Sequence, residues 1–197
     1  MLSRHQYFIK EHTGLLKLSD AYDILDPETN TKIGLAQEKP HPLVIILSFF
    51  ISKSHLPTRV EIIQNPNERG EGVCVVEIKR GITLLRSKVD VLIKGQPAGY
   101  FKSKLFSLGG GFWVYDIQDN KVAEVRGDWK GWNFKLLDSK EKELGTVTKK
   151  WAGIGKELFT SADNYIISIK PGITDNQNTK GLLLAAGFAI DTIYKEK

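Results

Sequence analysis

Residues 181–194, Gly-Leu-Leu-Leu-Ala-Ala-Gly-Phe-Ala-Ile-Asp-Thr-Ile-Tyr, decide the fold of this chain. Up to Ile190 the stretch carries no charge, whereas a surface helix alternates apolar and polar sides with a period of 3.6 residues. A helix that is apolar all round is buried or spans a membrane, and a span requires about 20 apolar residues. The stretch is shorter than that, so it predicts a helix surrounded by the rest of the chain.

The remainder of the chain supplies strands that can surround this helix. Short runs of strand-forming residues alternate with polar turns, a pattern typical of consecutive β-hairpins. A sheet that closes around an apolar helix buries both partners and leaves no exposed strand edge. The predicted strands are 6–11, 21–26 with 32–38, 59–64 with 72–79, 89–93 with 97–100, 112–117 with 121–125, 132–137 with 143–147, and 165–170.

The residues before the helix resemble a known family. Residues 149–165 contain the patterns K-x-W-x-G, E-x-F-T and A-D-N-Y in this order, and Ile190-Asp191 follows in the apolar stretch. This set resembles the phospholipid scramblase family and the LURP-one-related proteins, and a weaker resemblance begins near residues 22–26. The resemblance implies the tubby-like fold, a closed barrel of about twelve antiparallel strands around a buried C-terminal α-helix.

Length and cysteine content predict a single domain in a reducing compartment. The 197 residues are expected to form one domain, 1–197, and the first ten residues lack the apolar run of a signal peptide. The one cysteine, Cys74, cannot form an internal disulfide, which favours a cytoplasmic protein. Because Cys74 lies in the run Val-Cys-Val-Val, we expect a small buried hydrophobic side chain rather than a reactive thiol.

Positive charge is concentrated in the middle of the chain. Residues 79–156 hold 16 Lys and Arg against 8 Asp and Glu. Such a segment favours an anionic partner, although the same charges could simply solvate outward strand faces. Together with the resemblance, this favours an anionic phospholipid or membrane surface over nucleic acid. The candidate lipid- or anion-binding residues are Arg86, Lys88, Lys102, Lys104, Lys130, Lys149, Lys150 and Lys156.

A second apolar stretch, residues 42–51, reads Pro-Leu-Val-Ile-Ile-Leu-Ser-Phe-Phe-Ile. It is too short to span a bilayer. One interpretation is a helix or strand packed on the barrel as part of the core. The other is an exposed patch that docks on a membrane or a partner protein. In the second interpretation the membrane-contact candidates are Leu43, Ile46, Phe49 and Phe50.

The sequence predicts no catalytic site, metal site or cofactor. The four histidines show no zinc-ligand spacing, and no Gly-x-Ser-x-Gly pattern occurs. The resemblance draws attention to residues 161–172, where a calcium site has been proposed in animal scramblases. Calcium requires several carboxylates, whereas Ser161 stands at the leading acidic position and Lys170 adds a positive charge. We therefore expect Asp163 and Asn164 to cap the turn into the last strand.

Asp191, at the end of the apolar part of the helix, is expected to pair with a barrel Lys, Arg or Trp rather than act as a catalytic acid.

Three functions fit these features. The favoured one is a non-enzymatic module that interacts with phospholipid, is peripheral on the inner membrane face, and is linked through the resemblance to phospholipid scrambling. Lipid translocation by the chain itself is less expected, because no segment is long enough to cross the hydrocarbon core. The alternative is a soluble barrel that binds a ligand or protein and has a regulatory role.

Overall fold

The computed structural model describes residues 1–12, 20–40, 44, 56–81, 88–104, 111–128, 131–149, 164–173 and 176–194. These residues form twelve strands and, after them, the helix α1 (Gln177–Tyr194). In chain order the strands are β1 (Gln6–Glu11), β2 (Ala21–Leu25), β3 (Lys32–Glu38), β4 (Thr58–Gln64), β5 (Val73–Arg80), β6 (Lys88–Ile93), β7 (Gln96–Ser103), β8 (Gly111–Asp116), β9 (Lys121–Asp128), β10 (Asn133–Leu137), β11 (Glu143–Thr148) and β12 (Tyr165–Ile169).

The strands form a closed antiparallel barrel. Each strand pairs with the next one along the chain, and β12 closes the barrel by pairing with β1, for example at Tyr7 opposite Ile167. The predicted fold is therefore confirmed: a closed barrel of twelve antiparallel strands around a C-terminal helix. The predicted strands also appear, with small shifts at their ends.

Helix α1 fills the barrel. The side chains from Leu182 to Ile190 are at most 1% exposed, and the helix packs against β5, β6, β7, β8, β9 and β12. Two glycines permit this close packing, because a Cβ on Gly181 would overlap Ile93 and a Cβ on Gly187 would overlap Ile167. The all-round apolar pattern of the helix thus matches a barrel wall on every side.

The helix begins at Gln177, earlier than the predicted Gly181. Its first turn is polar, so hydrophobicity alone did not identify it. The side-chain oxygen Oδ1 of Asn176 accepts a hydrogen bond from the backbone N–H of Asn178 at 2.9 Å, which is the chemistry of a helix cap.

The two ends of the barrel are distinguished by strand direction. Because successive strands are antiparallel neighbours, all odd-numbered strands finish at one end, which we call the upper end; all even-numbered strands finish at the lower end. Helix α1 enters at the lower end, where Gly181 meets Ile93. It runs towards the upper end, where Phe188 packs edge-on against Tyr22 and Tyr165.

The lower end is made of short turns with a shared hydrogen-bond pattern. Asn67, Asp116 and Asp138 each begin such a turn. In each case the side-chain Oδ1 accepts hydrogen bonds from the backbone N–H groups two and four residues later, at 2.8–2.9 Å. These side chains take the place of missing backbone partners, which explains why the polar turns were recognisable in the sequence.

The prediction for Cys74 is wrong: the residue is exposed. The pairing of β4 with β5 shifts register between Ile62 and Ile63, so that β5 carries one extra residue at this point. The bulge turns Val75 and Val76 inward, at 3% and 0% exposure, and leaves Cys74 on the outside. Partial shielding from water, followed by the charges of Glu61 and Glu77, raises the pKa of the Cys74 thiol.

Candidate functional site

The four described basic candidates all lie at the upper end of the barrel. Strand β6 begins at Lys88, β7 carries Lys102 close to its end with Lys104 following, and Lys149 comes directly after β11. The remaining candidates lie outside the described residues. They are Leu43, Ile46, Phe49, Phe50, Arg86, Lys130, Lys150 and Lys156.

Lys88 and Lys102 are neighbours on the outer face. They stand directly opposite each other in the β6–β7 pairing, next to the inward-facing Val89 and Phe101. The Nζ atom of Lys88 lies 2.9 Å from Oδ1 of Asp90 and 4.5 Å from the ring centre of Tyr100. Within the described part of the chain, Lys102 has no carboxylate partner.

Lys104 lies in a different electrostatic environment. Its Nζ is 2.6 Å from Oε1 of Glu124, which also accepts a hydrogen bond from Nε of Arg126 at 2.9 Å. Burial acts to raise the pKa of Glu124, but the hydrogen bonds and charges of Lys104 and Arg126 outweigh it and hold that pKa below its ordinary value. The charge of Lys104 is thus compensated within the protein, which favours Lys102 over Lys104 as an anion contact.

Lys149 connects the surface of the upper end to the core. Its Nζ lies 4.5 Å from the ring centre of Trp132, a cation–π contact. Trp132 packs edge-on against Phe134 at a centroid distance of 5.9 Å, and its ring is tilted by 39° against that of Tyr165 at 5.1 Å. Tyr165 in turn contacts Phe188 of α1, so this candidate lysine rests on an aromatic chain that reaches the helix.

Outward-facing aromatic residues accompany the lysines, and the sequence analysis did not single them out. The rings of Tyr100 and Tyr115 stack at 5.0 Å with an interplanar angle of 11°, and Trp113 stands opposite Lys102 on β8. Their positions alternate with the buried Phe101 and Val114. The sequence could have indicated these residues, because aromatic side chains in β7 and β8 alternate with inward-facing apolar ones.

A comparison of the sequence with family models identifies the family of this chain. A family model described as Scramblase matches residues 68–197. The chain belongs to the Scramblase family. This membership supports a phospholipid-related role, and the family is generally non-enzymatic. No curated protein and no solved structure matches the chain.

The family match begins within the turn between β4 and β5. It therefore covers β5 to β12 and α1 of this Scramblase-family barrel, while β1 to β4 complete the same closed sheet. Among the described elements, no helix is long and apolar enough to cross a membrane.

Asn164, part of the segment considered for calcium, makes a structural contact. It is 4% exposed, and its Oδ1 accepts a hydrogen bond from the backbone N–H of Glu11 at 3.1 Å. This bond ties the start of β12 to β1, and the capping role expected for Asp163 and Asn164 stays a prediction. Ser161, Asp163 and the side chain of Asp191 lie outside the described residues.

No three His, Cys, Asp or Glu side chains in the described ranges are grouped to hold a metal ion. The expectation that this Scramblase-family chain binds no metal and no cofactor stays a prediction.

A cleft of about 380 Å³ lies at the lower end. The ion pair between Arg4 and Asp26 forms part of its wall. Backbone hydrogen bonds from Glu28, together with the charge of Arg4, lower the pKa of Asp26 despite its burial. Both charged groups are thus already paired with each other. The lining residues are Arg4, His5, Gln6, Asp26, Pro27, Glu28, Ile169 and Pro171.

Proposed function

We propose that this Scramblase-family barrel is a non-enzymatic domain that binds anionic phospholipid surfaces through its upper end. The observation that carries the proposal is that all four described candidate lysines lie at this end, with one of them, Lys102, lacking a carboxylate partner in the described part of the chain. In this proposal the domain is cytoplasmic and peripheral on the inner membrane face. Its link to phospholipid scrambling is the binding of lipid headgroups at the membrane surface.

The sequences of the connections between strands support an orientation in which the upper end faces the membrane. The six connections at the upper end, 12–20, 39–57, 81–87, 104–110, 129–132 and 149–164, contain nine Lys and Arg and three Asp and Glu. Those residues are Lys17, Lys39, Lys53, Arg86, Lys104, Lys130, Lys149, Lys150 and Lys156, against Asp20, Glu157 and Asp163. An excess of basic residues on one side of a domain favours contact with an anionic surface.

The lower end has the opposite composition. Its six connections, 26–31, 65–72, 94–95, 117–120, 138–142 and 170–176, contain five Lys and Arg and eight Asp and Glu. Those residues are Arg69, Lys94, Lys140, Lys142 and Lys170, against Asp26, Glu28, Glu68, Glu71, Asp119, Asp138, Glu141 and Asp175. The large apolar residues in the sequences of these six lower connections are Ile117 and Ile173, whereas the sequences of the upper connections include the apolar run 43–47.

Co-sedimentation with vesicles across a salt series tests the proposed function. Each basic residue near an anionic surface contributes about 1 kcal/mol, so several together give appreciable, reversible binding. Salt should weaken this binding, because exposed charges are screened within about 8–10 Å at physiological ionic strength. We expect wild type to bind anionic but not neutral vesicles, and Lys102→Glu/Lys104→Glu to bind much more weakly.

The matched control is Lys140→Glu/Lys142→Glu, which makes the same charge change in a lower-end turn and should bind as wild type does. A wild-type protein that ignores anionic vesicles at low salt would refute the proposal. The alternative, a soluble barrel that binds a ligand or protein and has a regulatory role, would then take its place, with the lower-end cleft as its candidate site. Binding that survives high salt would indicate insertion of Leu43, Ile46, Phe49 or Phe50.

A further inference from the structure

Two lysines face each other across β6 and β7 on the outer surface. Lys88 and Lys102 are direct partners in the antiparallel pairing. The Cβ atoms of directly opposite residues lie about 4.5–5.5 Å apart, and like charges at such positions destabilise a sheet. The barrel therefore keeps a pair of cations in a place where a pair of opposite charges would be more favourable.

Two other cross-strand pairs of cations in the described sheet are compensated by carboxylates. Arg59 and Lys79 stand opposite each other, and both pair with Glu77, while Arg59 also pairs with Glu61. Each of these cations thus has at least one acidic partner within the same group of side chains.

The second pair, Arg126 opposite Lys135, follows the same rule. Arg126 bonds to Glu124 and Glu141, and Lys135 bonds to Glu143 at 3.4 Å. Glu124 also pairs with Lys104 and Lys121, and Glu143 also pairs with Lys170, but both Arg126 and Lys135 have an acidic partner.

The pair Lys88 and Lys102 breaks this rule. Its one described carboxylate is Asp90, which lies 2.9 Å from Lys88 and also stands opposite Lys79 in the β5–β6 pairing. The side chains of Lys88 and Asp90 are 59% and 56% exposed, so their ion pair is weak. The nearest outward carboxylate on the other side, Glu124, is occupied by Lys104 and Arg126.

We propose that Lys88 and Lys102 together bind a phosphomonoester, a phosphate group attached through one oxygen. Such a group carries about −1.5 to −2 charges near pH 7, enough to compensate both lysines, whereas a phosphodiester carries about one. Lysine binds phosphate as a point charge and needs no fixed geometry. Tyr100 and Trp113 border the pair, and amphipathic rings of this kind suit the boundary between water and lipid.

This inference rests on the proposed function and names the headgroup class that the upper end prefers. A phosphomonoester headgroup, as in phosphatidic acid, should bind better than a phosphodiester headgroup, as in phosphatidylserine. The first experiment compares co-sedimentation with vesicles of these two lipids in neutral carrier lipid, adjusted to equal zeta potential. We expect about fivefold tighter binding to phosphatidic acid.

Neutral substitutions identify the residues responsible. Lys88→Gln and Lys102→Gln should each remove the preference for phosphatidic acid, while binding to phosphatidylserine falls only slightly. Lys135→Gln, an outward lysine on β10, is the control and should keep the preference. Equal binding of the two vesicles by wild type would overturn this inference and leave the proposed function intact, whereas no binding to either would refute the proposed function.

A second experiment, with a soluble ligand, distinguishes a lipid headgroup from a soluble phosphomonoester as the source of the phosphate group. Inorganic phosphate is titrated alone while the lysine side-chain resonances are followed. Shifts at Lys88 and Lys102, together with displacement from phosphatidic acid vesicles, support one shared site. Phosphate binding at both lysines in a protein that binds no vesicles would assign the site to a soluble phosphomonoester and overturn the lipid source.

The thermal stability of Lys102→Glu gives an independent readout. This change replaces the facing cations by an opposite-charge pair, so the midpoint of thermal unfolding should rise by about 1–4 °C while the preference for phosphatidic acid disappears. If the midpoint of thermal unfolding falls instead, the loss of binding would be explained by destabilisation of the fold, and the inference would be overturned.

Discussion

Replacing Phe188 by aspartate is expected to abolish folding. Phe188 is 1% exposed inside the barrel, with the rings of Tyr22 and Tyr165 at centroid distances of 6.2 and 6.3 Å. Loss of a buried phenylalanine ring alone costs about 3–5 kcal/mol. Burial of an unpaired carboxylate adds several kcal/mol more, against a total stability of about 5–15 kcal/mol for a typical domain. Circular dichroism of the purified variant should show an unfolded chain, or none should be recovered in soluble form.

The control for this change is Ile117→Asp. Ile117 is 60% exposed in a lower-end turn, so the same kind of substitution should alter the free energy of unfolding by about 0.5 kcal/mol or less. A folded, soluble Phe188→Asp variant with a cooperative melting transition would show that α1 is not the core of the protein.

Leu184→Ala should destabilise the protein without unfolding it. Leu184 is 0% exposed inside the barrel, and removing its side chain leaves a cavity that the surrounding wall can fill only in part. The expected cost is about 2–5 kcal/mol in the free energy of unfolding, measured by denaturant titration with an unchanged slope. Leu184→Met conserves most of the volume and should cost less than about 1.5 kcal/mol. If both variants lowered the free energy of unfolding by the same small amount, the result would contradict the close packing of α1.

The fold was predictable because its two main determinants are local. The apolar stretch that ends at Ile190 excludes a surface helix, and each polar turn separates two runs of strand-forming residues. The start of α1 was not predictable from hydrophobicity, since the turn from Gln177 to Lys180 is polar and depends on the Asn176 cap.

The exposure of Cys74 could not be predicted from its neighbours in the sequence. Its neighbours in sequence are apolar, but the direction of its side chain depends on a bulge in the pairing of β4 with β5. One extra residue moves the side chains beyond it to the opposite face of the sheet. The sequence of the run 73–76 contains no residue type that indicates a bulge.

The candidate site was predictable in residue type but not in arrangement. Lys102 and Lys104 stand two residues apart at the end of β7, and residues at this spacing in a strand share a face. In the barrel, Lys104 pairs with Glu124, while Lys102 stands opposite Lys88. Both contacts depend on the register between different strands, which a single sequence does not give. The position of all four lysines at one end follows only from the closed antiparallel order.

The central claim is that the upper end of the barrel faces an anionic membrane, and one labelling measurement tests it directly. An environment-sensitive fluorophore is attached to a single cysteine in a Cys74→Ser background, because native Cys74 is exposed. Asn133→Cys places the label at the upper end of β10, and Ser139→Cys places it in the turn at the lower end of the same strand, both at exposed positions.

With anionic vesicles at low salt, the account predicts a blue-shifted and brighter emission from the label at Asn133→Cys and no change from the label at Ser139→Cys. Neutral vesicles should change neither. A response from the lower-end label alone, or the same response from both, would contradict the account.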